Sequence, residues 1–199
     1  MNKKFCFDTL VHEQDPFDYE TYKKSKTKFY CVVTNVETGK AEYKEVKDAE
    51  EDSEYLRASG SMPIVSQIVE IDGKKYLDGA IGDSVPVEWA IKQGYEKVIV
   101  VETRPKDFRR KKATLWPYKM IYKKYPNFVK AVENRTKEYN KTKKFIINED
   151  RKKIFVIRPS KLVKIKRIEK DKEKIQEMYN LGLEDANNAL KDLKKYLKG

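Results

Sequence analysis

The chain has 199 residues, of which 39% are hydrophobic and 38% are charged, and its formal net charge is +12. This length suits one domain with a core, and the periodic apolar runs exclude a disordered chain. The positive charge favours an anionic partner, namely nucleic acid, an anionic membrane surface or a lipid phosphate. A lysine-rich surface on an ordinary soluble protein also explains the charge, and we prefer that interpretation.

Two cysteines, Cys6 and Cys31, are too few for a disulfide framework or a cysteine-rich metal site, and both are expected to be buried free thiols. No N-terminal run resembles a signal peptide, and no apolar stretch is long enough to cross a bilayer. The sequence therefore predicts a cytoplasmic protein, with a peripheral position at a membrane left open.

The first third of the chain predicts a loop and then a hairpin. Residues 1–22 lack periodicity, apart from one short helix at Asp18–Tyr22. An apolar, β-favouring run predicts a strand at Lys28–Asn35, and the chain returns at Ala41–Val46. A helix is predicted at Asp48–Ser59, before the break that Pro63 imposes.

The middle of the chain predicts a second hairpin and then a βαβ unit. An Asp-Gly pair, Asp72-Gly73, separates two short alternating runs and is a strong signal for a tight turn. A helix is predicted at Pro86–Gln93 and a strand at Lys97–Glu102, whose continuous apolar run indicates burial on both faces. Strand, helix and strand at this spacing predict at least one parallel pair. The basic segment Arg104–Lys112 follows, either as a phosphate contact or, as we prefer, as an exposed loop.

The last third predicts helices around one more strand. A helix at Leu115–Tyr125 carries Trp116, Met120 and Ile121, which form either a membrane-facing patch or, as we prefer, part of the core. A helix after Pro126 is expected to bury Phe128, Val129 and Val132, and a buried strand is predicted at Ile154–Ile157. The last element is an amphipathic helix at Asp171–Leu197, whose apolar stripe includes Ile175.

The best candidate for chemistry is Asp78, which ends the second strand of the Asp72-Gly73 hairpin. Gly79 and Ala80 follow it and leave the backbone open to close approach. Asp83 and Ser84 are interpreted as residues that start the next helix. Gly82-Asp83-Ser84-Val85 also resembles the Gly-Asp-Ser-Leu block of another esterase family, but the Asp-x-x-His partner of that block is absent.

Several stretches of the chain resemble the C-terminal half of the bacterial patatin-like phospholipases. The stretches are Thr34–Gly39, Ala58–Pro63, Tyr76–Ala80, Asp83–Val87, Val98–Pro105 and Ile154–Pro159. The resemblance implies a lipid acyl-ester hydrolase with a Ser–Asp dyad, in which Asp78 supplies the carboxylate and Gly79 and Ala80 complete the motif.

The serine of that dyad has no counterpart here. The Gly-x-Ser-x-Gly elbow that holds this serine and the Gly-rich oxyanion loop do not occur in this sequence. Ser61 has Ser59 and Pro63 at the two glycine positions of the elbow, and Ser84 has Gly82 at the first position but Pro86 at the second. The chain is therefore expected to need the missing N-terminal half of the same domain and to be inactive alone.

The resulting prediction is an α/β fold, a partial three-layer α/β/α sandwich whose mostly parallel sheet also carries the hairpin with the Asp-Gly-Ala motif. Residues 1–199 are expected to form a single domain, the C-terminal part of a patatin-like hydrolase domain. The expected partner is a lipid ester substrate, with a peripheral contact to anionic membrane as an option; no nucleic acid, metal or organic cofactor is implied. The alternative is a non-catalytic basic module that binds anionic membranes or nucleic acid.

Overall fold

The computed structural model describes residues 3–166 and 169–199, and these divide into two compact units. The first unit comprises residues 3–85 and 111–139, and the second comprises residues 86–110 and 140–199 without the pair 167–168. The strands are β1 (Tyr30–Asn35), β2 (Ala41–Glu45), β3 (Val69–Ile71), β4 (Lys74–Asp78), β5 (Val98–Val101) and β6 (Ile154–Ile157). The α-helices are α1 (Tyr19–Lys24), α2 (Ser53–Ser59), α3 (Val87–Lys92), α4 (Trp116–Ile121), α5 (Pro126–Glu149) and α6 (Lys172–Lys198).

The sheet of the first unit is antiparallel throughout, with strand order β2-β1-β4-β3. The β1–β2 hairpin is confirmed, and β3 pairs with β4 around Asp72 and Gly73, whose φ angles are 51° and 72°. The prediction of one mostly parallel sheet is wrong, because β5 and β6 form a sheet of their own. The coarser prediction of an α/β fold is confirmed.

Both faces of the first sheet are covered by apolar side chains, as the strand period of two requires. Val33 and Tyr76 point to one face, where Cys31 is also buried and residues of α1 and α2 pack. Leu77 points to the other face, where the buried partners are Val36, Ile81, Tyr122, Phe128 and Val132. The strand end at Asp78 is therefore held between two packed clusters.

The second unit contains the one parallel strand pair among the described residues, β5 with β6, in the register Val98 to Ile154. A parallel pair was predicted, but β4 had been expected to take part in it. The expected burial of β5 on both faces is also wrong, because Ile99 and Val101 are exposed. The strand β6 is buried on both faces as predicted, through Ile154 and Phe155.

Three further differences from the sequence prediction concern the helices. Residues Phe5–Gln14, predicted as a loop, form a π-helix with no buried residue. The helix α3 begins at Val87 after Pro86, so Asp83 and Ser84 do not cap it. In α6, Ile175 is exposed although the amphipathic stripe was expected to bury it. The helices α1 and α5 are confirmed, and Phe128 and Val132 of α5 are buried as predicted.

Candidate active site

Asp78 is the last residue of β4, and backbone contacts hold it on both sides. It lies opposite Val33 of β1 in the antiparallel register. Its amide donates a hydrogen bond to the carbonyl oxygen of Ser61 at 2.9 Å, and its own carbonyl accepts from the Thr34 hydroxyl at 2.8 Å. The position of the side chain is therefore set by the sheet and by the end of α2, which Ser61 follows by two residues.

The Asp78 carboxylate is half-buried and only partly used by its neighbours. Its Oδ1 accepts a hydrogen bond from the amide of Ala80 at 2.9 Å, which caps a short 3₁₀ turn at Gly79–Ile81. Among the described residues, none donates a hydrogen bond to Oδ2. One carboxylate oxygen thus fixes the side chain, and the other remains available to a donor from elsewhere.

Gly79 is required because β1 passes directly against it. A Cβ atom at this position would lie 2.0 Å from the carbonyl oxygen of Val32, closer than any side chain allows. The Asp-Gly sequence therefore has a packing reason of its own: the chain must turn away from β4 in contact with β1.

Two side chains that support this turn were not found from the sequence as parts of a site. The buried Thr34 hydroxyl donates to the Asp78 carbonyl and accepts from the amide of Gly82 at 2.9 Å. The Arg135 guanidinium donates from Nε to the Ala80 carbonyl at 2.6 Å, although the two residues lie 55 positions apart. Thr34 is the last but one residue of the predicted strand Lys28–Asn35 and could have been found from the sequence, whereas no local sequence pattern indicates a role for Arg135.

The two serines considered as nucleophiles both donate to backbone carbonyls. Ser61 is buried, and its hydroxyl donates to the Arg57 carbonyl at 2.8 Å. The Ser84 hydroxyl donates to the Ala80 carbonyl at 2.7 Å. Since neither hydroxyl donates to the Asp78 carboxylate, the structure does not assemble a Ser–Asp pair from the described residues.

Asp83 and two other side chains capable of chemistry, the single histidine His12 and the Cys31 thiol, also have structural surroundings. Asp83 accepts from the Tyr43 hydroxyl at 2.7 Å and from the amide of Val85 at 3.1 Å, which ties the chain after the 3₁₀ turn to β2. His12 stacks on Tyr19 with ring centroids 5.6 Å apart. Burial raises the pKa of the Cys31 thiol to about 11, so this side chain is protonated and unreactive near neutral pH.

An apolar cavity of about 550 Å³ lies in the first unit beside the N-terminal π-helix. Phe7, Phe17, Tyr22 and Leu56 are among its lining residues, whereas Asp78 is not. No cluster of three metal-ligating side chains occurs within residues 3–166 and 169–199. Over the same residues, no helix combines the length and the apolar composition needed to cross a bilayer.

Comparison with known families assigns the two ends of the chain to different family models. Residues 9–91 match the Patatin-like phospholipase family, and residues 125–198 match a domain of unknown function, DUF6363. The patatin match includes Asp78, Gly79 and Ala80. It ends before Val98–Pro105 and Ile154–Pro159, to which the sequence analysis had extended the resemblance.

One curated relative shares a short stretch with this chain. The uncharacterized protein YjjU of Escherichia coli (strain K12) is 38% identical over 53 residues, which are 26% of this chain and 15% of that protein. The match over residues 9–91 is to the family that the sequence predicted, and it lies in the N-terminal part of this chain.

Proposed function

We propose that this chain supplies the carboxylate of a Ser–Asp dyad to a patatin-like acyl-ester hydrolase whose substrates are lipid esters. The observation that carries the proposal is the Asp78 carboxylate, which lies within the patatin-like segment and has one oxygen without a donor among the described residues. A carboxylate beside a serine hydroxyl accepts its proton as the serine attacks an ester carbonyl, and this chemistry needs no metal or organic cofactor.

The serine elbow and the oxyanion loop would come from residues outside this chain, in the N-terminal half of the same domain. One finding supports this arrangement: the hydroxyls of Ser61 and Ser84 both donate to backbone carbonyls and not to Asp78. The complete domain would be a three-layer α/β/α sandwich that works in the cytoplasm at a lipid surface.

The proposal is tested by Asp78→Asn, which keeps the shape of the side chain and removes its basicity. In a longer form of the protein that contains a Gly-x-Ser-x-Gly elbow, we expect kcat for a lipid ester to fall about 10⁴-fold, as when a triad aspartate becomes asparagine. The matched control is Asp72→Asn in the exposed hairpin turn, which should leave kcat unchanged.

The chain of 199 residues should hydrolyse no ester by itself. Two results would refute the proposal: hydrolysis by the pure chain that is lost in Asp78→Asn, or full activity of Asp78→Asn in the longer form. The first result would place the nucleophile within this chain, and the second would remove Asp78 from the chemistry.

A further inference from the structure

Several large apolar side chains of the first unit are exposed on α4 and in the loop after Ser61. The sequence analysis preferred to place Trp116, Met120 and Ile121 in the core, and the structure shows that this preference is wrong. We define the apolar patch as five side chains with these exposed fractions: Ile64 44%, Val65 70%, Trp116 64%, Met120 61% and Ile121 48%.

The helix α4 is apolar on two sides, and only one side is buried. Leu115, Tyr118 and Tyr122 pack into the core of the first unit. Trp116 and Met120, one helical turn apart, face solvent instead. A surface helix normally has a polar outer face, so the outer face of α4 is not explained by folding alone.

The loop that carries Ile64 and Val65 joins the same region. The amide of Ile64 donates to the Tyr122 hydroxyl at 2.9 Å, and the amide of Ser66 donates to the Met62 carbonyl at 2.9 Å. Ile64 has a φ of 74°, an unfavourable conformation for a β-branched residue. Such strain is retained mainly at functional positions, and here it occurs in the loop whose backbone contacts the Tyr122 side chain next to α4.

The segment that contains α4 carries charge of one sign. Residues 111–132 contain six lysines and no aspartate or glutamate. All six are exposed: Lys111, Lys112, Lys119, Lys123, Lys124 and Lys130. A tryptophan with apolar neighbours and surrounding lysines is the composition that binds at the interface of an anionic bilayer.

The apolar patch is also connected to the candidate active site. The loop with Ile64 and Val65 begins just after Ser61, whose carbonyl accepts the amide of Asp78. Only Met62 and Pro63 therefore separate Ser61, the backbone partner of Asp78, from Ile64, the first residue of the patch.

We propose that the apolar patch and its lysines dock onto the surface of an anionic lipid bilayer. The inference rests on the proposed function and deepens it, because it names the surface on which this lipid hydrolase meets its substrate. Trp116, Met120 and Ile121 enter the boundary between headgroups and acyl chains, and the lysines contact lipid phosphates. The lack of acidic residues in residues 111–132 favours an anionic lipid surface over an ordinary mixed-charge protein partner.

The test is co-sedimentation of the chain with vesicles of phosphatidylcholine and phosphatidylglycerol in equal parts, with pure phosphatidylcholine vesicles for comparison. We expect binding to the anionic vesicles that weakens as salt is added. Met120→Glu/Ile121→Glu should weaken it at least about tenfold, because it removes apolar burial and adds charge. Lys119→Gln and Lys123→Gln should each weaken it about fivefold.

The matched control is Tyr179→Glu/Leu183→Glu on α6, which places the same two charges on exposed apolar positions of another helix. This control should retain most of the binding, apart from a small uniform effect of net charge. Equal losses in both double variants, or no binding of the unchanged chain to any vesicle, would overturn the proposal. Circular dichroism and thermal melting establish that each variant is folded.

Tryptophan emission provides a second readout that needs no substitution in the patch. The chain has two tryptophans, so Trp89→Phe leaves Trp116 as the only tryptophan, which is excited selectively at a wavelength that tyrosine does not absorb. Anionic vesicles should shift its emission to the blue and protect it from acrylamide, and an unchanged spectrum would contradict docking. Asp78→Asn should bind vesicles normally, so a failure of the docking proposal is distinguishable from a failure of the dyad.

Discussion

Each unit of the molecule has a carboxylate at the end of a β-strand, and the two carboxylates differ in burial and in the groups that contact them. Asp78 ends β4, is half-buried and receives a single hydrogen bond to its carboxylate, from the amide of Ala80. Glu102 follows β5, and its side chain is only 5% exposed. Lys143 lies 2.7 Å from one oxygen of Glu102, and the Arg158 Nε lies 3.3 Å from the other.

The comparison shows that a strand end alone does not mark a catalytic carboxylate. Glu102 is held by two cations, and Arg158 also pairs with Asp150 at 3.2 Å. Burial lowers the pKa of Lys143, and the neighbouring Glu102 carboxylate opposes that shift. Among the described residues, none donates a hydrogen bond to the Glu102 Oε2, but this oxygen is buried beside Arg158, and the network serves the stability of the second unit. The half-buried Asp78 carboxylate has no cation paired with it among the described residues, which is why we propose it, and not Glu102, for the chemistry.

Breaking the buried pair should produce the largest change in stability. Lys143→Met leaves the Glu102 carboxylate buried with one cation fewer, and we expect the free energy of unfolding to fall by about 3–5 kcal/mol. Urea denaturation of this chain measures it. Asp78→Asn is the contrasting variant and should cost no more than about 1 kcal/mol.

The double variant Lys143→Met/Glu102→Leu sharpens the same test. With both charges removed, no carboxylate is left buried without its partner, and Arg158 keeps Asp150. Much of the lost stability should return. If the double variant is as unstable as Lys143→Met, the pair is not what holds this part of the second unit.

Gly79→Ala should show how tightly the backbone behind Asp78 is held. The new Cβ would meet the Val32 carbonyl at 2.0 Å, so β1 or the 3₁₀ turn must move, and we expect a loss of about 3 kcal/mol in urea denaturation. Gly182→Ala in α6 is the control: it meets nothing within 4 Å, and alanine should stabilise the helix by up to about 1 kcal/mol. Equal effects at both glycines would contradict the close contact.

The smallest expected effect is a difference between the two cysteines in their rate of reaction with a thiol reagent, which also tests the core beside β4. Cys31 is buried in the cluster that also contains Val33 and Tyr76, whereas Cys6 is half-buried. With a thiol reagent at pH 8, native protein should react at Cys6 first, because Cys31 forms thiolate only as the pH approaches 11. Equal rates for both thiols in the native state would show that this core opens readily.

The raised pKa of Cys31 also determines how folding stability changes with pH. The pKa of Cys31 is raised in the folded state from 9.0 to about 11, so the unfolded thiol ionises first as the pH rises. Folding stability linked to this group is present below pH 9 and is lost between pH 9 and 11. Cys31→Ala should show a flatter decline in that range.

The elements found from the sequence were those with strong local signals. The apolar run that ends at Asn35 and the second run at Ala41–Val46 predicted the β1–β2 hairpin. The helical spacing of apolar residues predicted α5 and α6. The separation of β5 and β6 into their own sheet has no local signal, because a short apolar run looks the same in either sheet.

Long-range side-chain contacts explain most of what the sequence missed at the sites. Lys143 and Glu102 lie 41 positions apart, and Arg135 and Ala80 lie 55 apart, so no spacing rule connects them. The exposure of Trp116 and Met120 was missed for a related reason. Apolar residues on both sides of α4 predict a buried helix, and only the structure shows that one side faces solvent.

The most direct test of the central claim is labelling with a fluorophosphonate probe, read by intact mass and peptide mapping. It is applied to this chain and to the longest form of the protein that its source makes. We predict that only a longer form is labelled, at a serine outside these 199 residues, and that Asp78→Asn slows the labelling. Labelling of this chain at Ser61 or Ser84 would contradict the account, and so would a longer form that the probe never modifies.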